Sequence, residues 1–262
     1  MKQIALLLLL TAAFANVNAQ KLANKQEASF KAPTNVKIDG KTTEWGDFKA
    51  YNSATGLFYT LANDEKNLYL IIRTVDRRIM DKLFGGGISL FFNSADNNDK
   101  KLRGEINYLA LSKVNRLAIA AAMKDTVNKD LINSTMAPAL KTIGVKNLND
   151  VGEELISVYN EYGIMAASYL SNMDTYTCEI AIPLKHLKSF VNNKGIISYT
   201  LQANAQSLNN LKVVMNGKEV ENAAASQQLT DMLSTISQSE KGAAFREMLN
   251  DTNVSGEYAL AK

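Results

Sequence analysis

Apolar residues along this chain recur mainly at alternate positions, in short runs closed by polar turns, which is the period of half-buried β-strands. The strongest case is 68–76, Leu-Tyr-Leu-Ile-Ile-Arg-Thr-Val-Asp, with a partner run over 56–63 and the polar Asp64-Glu65-Lys66-Asn67 between them. Two runs rich in β-branched and aromatic residues around a short polar loop predict a β-hairpin. Leu68, Leu70 and Ile72 fall on one side of the second strand and Tyr69, Ile71 and Val75 on the other. That strand is apolar on both faces and predicts a sheet centre with material packed on either side.

Order is expected to begin near Val36, because 20–35 is polar and aperiodic and reads as a flexible lead-in. Val36-Lys37-Ile38 alternates until the Asp39-Gly40 turn, and Trp45 reads as a core plug whose indole N–H finds one partner. Residues 77–84 predict a short helical or irregular crossing, Gly85-Gly86-Gly87 a flexible hinge, and Ile88, Leu90 and Phe92 one face of a strand. The loop over 93–101 is the most polar in the chain, and 106–111 extends the sheet. Dense alanine at 118–122 predicts helix within an insertion near 113–150, where Pro138 and Gly144 punctuate short helices and loops.

Three strands then return as a meander over 155–160, 163–170 and 175–182. In the last, Tyr176, Cys178, Ile180 and Ile182 alternate with Thr177, Glu179 and Ala181, so Cys178 reads as a small inert core residue. Pro183 stops this strand, one or two helical turns follow, and 196–204 forms a further strand. Residues 211–215 read as a short strand or loop. Leu229, Met232, Leu233 and Ile236, then Phe245, Met248 and Leu249, mark helix stripes in a second insertion near 226–250, and 256–262 closes as an edge strand. The fold class is therefore mainly β, an antiparallel β-sandwich with accessory helices in the middle and near the C-terminus, as a single domain over 36–262.

Composition adds an address. Lys2 precedes an apolar run over 4–14, and Val17 and Ala19 suit a small-residue cleavage site, so 1–19 reads as a signal peptide and the mature chain is expected to be exported, periplasmic or secreted. No later run approaches the roughly 20 apolar residues that a transmembrane segment needs. A single cysteine allows no intramolecular disulfide, leaving stability to burial. Removing Lys2 takes one from the 29 basic side chains, against 26 acidic, a balance too even to nominate nucleic acid or an anionic membrane.

Candidate chemistry is sparse. His186 is the only histidine and lies between Lys185 and Lys188, where it reads as an exposed turn residue. One histidine and one cysteine cannot build a zinc site alone, and no Gly-x-Ser-x-Gly elbow is present. The three glycines lack the Lys-Ser or Lys-Thr of a phosphate loop, and Asp96 and Asp99 lack the spacing of a calcium loop. Asp39, Glu44, Asp76 and Glu179 are the acids on strands or strand ends that a hydrolase would draw on. A scaffold reading assigns Asp39 to the Asp-Gly turn, Glu44 to hydrogen bonds from a neighbouring loop, Asp76 to Arg77 or Arg78, and Glu179 to Arg73 or a lysine. That reading predicts no enzyme, no metal and no cofactor.

Taken in order, several pieces resemble the β-sandwich superfamily of family 9 carbohydrate-binding modules and DOMON domains, in particular its exported representatives in Bacteroidetes. They are Ile38-Asp39-Gly40 with Glu44-Trp45, Asp64-Glu65-Lys66-Asn67-Leu68-Tyr69-Leu70, Gly87-Ile88-Ser89-Leu90-Phe91-Phe92-Asn93, Glu179-Ile180-Ala181-Ile182-Pro183-Leu184, and the closing Glu257-Tyr258-Ala259-Leu260-Ala261-Lys262. The resemblance implies a non-catalytic binding module with a glycan as partner. A structural or adaptor protein of an envelope complex is the alternative. Sugar-binding members stack rings on exposed aromatics; the one tryptophan here sits in the segment the family places in its core, which leaves Tyr51, Tyr108, Tyr159 and Tyr162 as ligand-binding candidates. Haem, held by some DOMON domains through Met and His, is permitted by His186 and nine methionines without being suggested. The helical insertions are expected to cover the face where a ligand would otherwise sit.

Overall fold

The computed structural model describes residues 22–96, 99, 101–108, 111–123, 128–171, 174–206, 213–215, 218–220 and 247–262. The leader read over 1–19 and nearly all of the insertion read at 226–250 lie outside the described residues. In chain order the strands are β1 (Ala50–Asn52), β2 (Leu57–Asn63), β3 (Asn67–Thr74), β4 (Ile88–Asn93), β5 (Arg103–Tyr108), β6 (Thr142–Lys146), β7 (Leu155–Ser157), β8 (Met165–Leu170), β9 (Tyr176–Pro183), β10 (Ile196–Ala203), β11 (Val213–Met215), β12 (Lys218–Val220) and β13 (Thr252–Ala259). Three α-helices, α1 (Arg77–Gly86), α2 (Lys113–Ala122) and α3 (Lys129–Ala139), and one 3-10 helix, Leu184–Phe190, accompany them, and residues 247–249 are helical as well.

The strands form two antiparallel sheets. One has five strands in the order β1-β2-β3-β9-β8, the other six in the order β13-β10-β4-β5-β6-β7, and β11 pairs with β12 in a small hairpin. The hairpin expected at the sheet centre is β2-β3, and β3 is the middle strand of five, with Leu70 opposite Leu61 on one side and Ile180 on the other. Alternation places Leu61, Leu70, Ile72, Cys178 and Ile180 from this sheet and Leu90, Phe92, Ile106, Tyr199 and Leu201 from the other in a single apolar cluster, so the two sheets face each other in a sandwich-like arrangement. Each large aliphatic side chain buried there stabilises the fold by about 1.5–3 kcal/mol.

The outer face of β3 is buried as well. Tyr69, Ile71, Ala62 and Ala181 pack against Ala32, Trp45 and Phe48 in a second cluster that Leu22, Phe30, Val36 and Ile38 border. The stretch expected as a flexible lead-in over 20–35 is, in its described part, bonded to the sheet. The side-chain amide of Gln26 donates to the Leu61 carbonyl at 2.7 Å and accepts from the Leu61 N–H at 2.8 Å, and Ala32 N–H donates to Asn63 O at 2.9 Å. The sequence signal misled because these contacts are made with strands far along the chain. Val36 to Gly40 packs as loop without joining a strand, and Val75, placed with Tyr69 by alternation, lies past the end of β3 and is 60% exposed.

Helix α1 carries the chain from the first sheet to the second. Asp76 caps it by accepting the Arg78 N–H at 2.9 Å, and Ile79, Met80, Leu83 and Phe84 turn inward. The glycines that follow serve close packing and chain reversal instead of a hinge: a Cβ on Gly86 would overlap the carbonyl oxygens of Asn204 and Ala205, and Gly87, at φ 79°, returns its N–H to Leu83 O. Helices α2 and α3 send Ile119, Ala122, Met123, Ile132 and Met136 into the main cluster. Asn133 of α3 finishes β8 by both donating to and accepting from the Leu170 backbone, at 3.0 and 2.9 Å.

Two further expectations change. The region read as short helices and loops also holds a strand, β6, where Gly144 lets the chain pass beside Asn107. The predicted three-strand meander is split: β7 pairs with β6 in the second sheet, while β8 and β9 pair in the first.

Candidate functional site

The four candidate tyrosines lie on different elements. Tyr51 lies on edge strand β1, 37% exposed, with its ring 4.6 Å from that of Phe58. Tyr108 is an interior residue, 3% exposed, whose hydroxyl donates to Leu140 O at 3.1 Å, and burial pushes its phenol well above the usual range. Tyr159 is 84% exposed in the turn after β7. Tyr162 is nearby in sequence, with its hydroxyl donating to Glu153 Oε1 at 3.0 Å and its ring edge-on to His186.

The four acids are each absorbed in local structure. Asp39 accepts the Lys41 N–H at 2.8 Å, Glu44 the Lys37 N–H at 2.9 Å, and Asp76 pairs with Arg78 at 2.8 Å, whose guanidinium holds that carboxyl below its ordinary value. Glu179 meets neither Arg73 nor a lysine. Its Oε1 accepts the Trp45 indole N–H at 2.6 Å, and its Oε2 accepts the Gly40 and Asp39 N–H groups at 2.7 and 3.0 Å. Removal from water outweighs these donors and pushes the carboxyl up to about 7. Arg73 instead lies against Phe48 and Phe58, its guanidinium 4.6 Å from each ring.

His186 is the clearest reversal. Expected on the surface, it is 1% exposed, with Nδ1 2.7 Å from Asn149 O and Nε2 2.9 Å from Tyr162 O. It ties the 3-10 helix to two loops: a singly protonated ring donates to one of these carbonyls, a doubly protonated ring to both. The neighbouring lysines signal solvent, but the loops over 147–152 and 160–163 fold back across the imidazole. Cys178 is buried as expected, and the apolar surroundings raise its thiol.

The surface best equipped to bind lies elsewhere, on the side of the six-stranded sheet that points away from the interior. Strand pairing sets its side chains in rows. Ser255, Thr200, Phe91, Glu105 and Lys146 run across the middle; Asn253, Gln202, Ser89 and Asn107 form the next row; Glu257 beside Ser198 and Asn93 beside Arg103 occupy the far end. Many of these groups are already positioned by one another. Ser89 donates to Glu105 Oε1 at 3.0 Å and accepts from Asn107 and Asn204 at 2.8 and 3.0 Å. The Thr200 and Ser255 hydroxyls meet at 2.8 Å, and Lys146 stands 3.6 Å from Glu105.

Phe91 is the one aromatic residue in these rows, and it is half-buried under Arg103, whose guanidinium carbon sits 3.6 Å from the ring centroid. Asn93, Arg103, Asn253, Ser255 and Glu257 are exposed, whereas Ser89 and Thr200 are buried and act on the face through the groups they bond. Beyond Asn93 the face opens into a cleft of about 530 Å³ lined by Phe190, Asn192, Asn193, Lys194, Ser198 and Glu257. A shallower groove of about 650 Å³ continues past Asn93 and Glu257 to the 24–27 stretch. Amides, hydroxyls and an aromatic–guanidinium stack make a surface suited to hydrogen bonding and ring contact. Among the described residues no group of three or more His, Cys, Asp or Glu side chains could hold a metal.

Sequence reasoning passed over this face because polar residues on alternate strand positions read as ordinary solvent contacts. One signal was present. In Ser89-Leu90-Phe91-Phe92-Asn93, period two puts Phe91 with Ser89 and Asn93, an aromatic on the polar side. No family model, no curated protein and no solved structure matches the chain.

Proposed function

We propose that this protein is an exported, non-catalytic binding module of the family 9 carbohydrate-binding type that takes glycan on the outer face of its six-stranded sheet. The observation carrying this reading is the placement of Phe91, stacked with Arg103, among hydrogen-bonding side chains that lead into the Asn93 cleft. Sugars present apolar C–H faces and rings of hydroxyls; the flat guanidinium seated on Phe91 offers a surface to the first, and the neighbouring amides and hydroxyls offer donors and acceptors to the second. A glycan array with the mature chain tests the reading: binding that Phe91→Ala abolishes and Tyr159→Ala leaves intact is the expected outcome.

The alternative, an adaptor in an envelope complex, draws on a different observation. Val114, Leu117, Ala118 and Ala121 form an exposed apolar stripe on α2, with Val114 76% and Leu117 62% exposed. A chain that binds no glycan, but holds an envelope protein until Leu117→Lys breaks the stripe, fits this alternative instead.

A further inference from the structure

Given the glycan reading, on which this step rests, we infer that the site takes an acidic saccharide, one bearing a uronate carboxylate, and that Arg103 is the residue that reads the charge. Arg103 is exposed on β5, opposite Asn93 of β4, and among the described residues it makes no ion pair and no side-chain hydrogen bond. Its guanidinium carbon lies at van der Waals distance above the centre of Phe91. At that separation a flat stack is what keeps its nitrogens clear of the ring, so its N–H bonds lie parallel to the ring plane and point to the sides of the stack.

A guanidinium held flat has part of its rotamer entropy already spent. Its N–H fork matches the two oxygens of a carboxylate, giving a pair of parallel charge-assisted bonds. The acid next along the row, Glu105, is directed elsewhere: it accepts the Ser89 hydroxyl and faces Lys146 at 3.6 Å. Lys194 adds a second exposed cation at the Asn93 cleft, with no acidic partner among the described residues, and the Glu257 carboxylate lines the same cleft. The fork of Arg103 takes the ligand carboxylate, which leaves the sugar hydroxyls to Asn93, Ser198 and Glu257.

The test is calorimetric titration of the mature chain with an oligogalacturonate and with a neutral galacto-oligosaccharide of equal length. The acidic ligand is expected to bind more tightly, with affinity falling as salt is raised. Arg103→Lys, which keeps the charge and loses the fork, should weaken the acidic ligand by about 10- to 100-fold and shrink its advantage over the neutral one. Phe91→Leu, which removes the seat of the guanidinium and keeps apolar bulk, should weaken the acidic ligand too; unfolding curves matching the wild type confirm that each variant is folded. Equal affinity for both ligands, or an acidic affinity untouched by Arg103→Lys, overturns the inference and leaves the glycan reading standing. No binding of the oligogalacturonate also overturns it, and the glycan array then decides the broader reading separately.

Discussion

The indole N–H of Trp45 donates to Oε1 of Glu179 at 2.6 Å, with both residues almost fully buried on the outer face of the five-stranded sheet. This bond joins the N-terminal layer to β9, and the Gly40 and Asp39 N–H groups engage the other carboxylate oxygen from the same layer. A buried acid therefore organises the loop that covers the sheet. Trp45→Phe removes the donor and part of the ring volume, and is expected to cost about 2–4 kcal/mol in chemical denaturation. A cost under about 0.5 kcal/mol would mean that the bond contributes nothing to the layer.

Burial pushes the Glu179 carboxyl up to about 7 against the pull of its three donors. Its folded value then lies above the unfolded one, so the folded state binds the proton more strongly between about pH 4.5 and 7. Stability is expected to fall across that window as pH rises, by up to about 1.4 kcal/mol per unit, and to level off above it. Glu179→Gln does not titrate. Its stability measured beside that of the wild type should show the wild type losing ground from pH 5 to pH 7.5, and parallel curves would refute the assignment.

His186 faces the carbonyls of Asn149 and Tyr162 with its two ring nitrogens. His186→Leu keeps the bulk and removes the ring N–H that ties the 3-10 helix to these loops, at an expected cost of about 2–4 kcal/mol. Faster amide hydrogen exchange should appear first around Leu148 and Ile164, in the loops the imidazole holds. Uniform exchange at wild-type rates would show that the loops stand without it.

The parts of this fold that the sequence displayed are those whose pattern is set within a few residues. The alternation from Tyr176 to Ile182 identified both faces of β9, the polar loop at Asp64 identified the β2-β3 hairpin, and the single tryptophan did find one partner for its indole N–H. Partners and neighbours were a different matter. Glu179 bonds to residues about 140 positions earlier, and Gln26 to a strand 35 positions later, distances over which local pattern carries no information. The polar outer face of the six-stranded sheet was hidden for a related reason: Phe91 becomes notable only when strand pairing sets Thr200 and Glu105 at its sides and brings Arg103 over its ring. Tyr108, a candidate from its place near a loop, is an interior residue because strand β5 turns it toward the other sheet.

Whether ligand is taken on the outer face of the six-stranded sheet is tested most directly by backbone amide chemical-shift mapping of residues 20–262 titrated with the best glycan from the array. Shifts concentrated at Phe91, Asn93, Arg103 and Ser198, absent in Phe91→Ala, are the predicted result. Shifts confined to α2 or to the turn around Tyr159, with the sheet face unmoved, would contradict it.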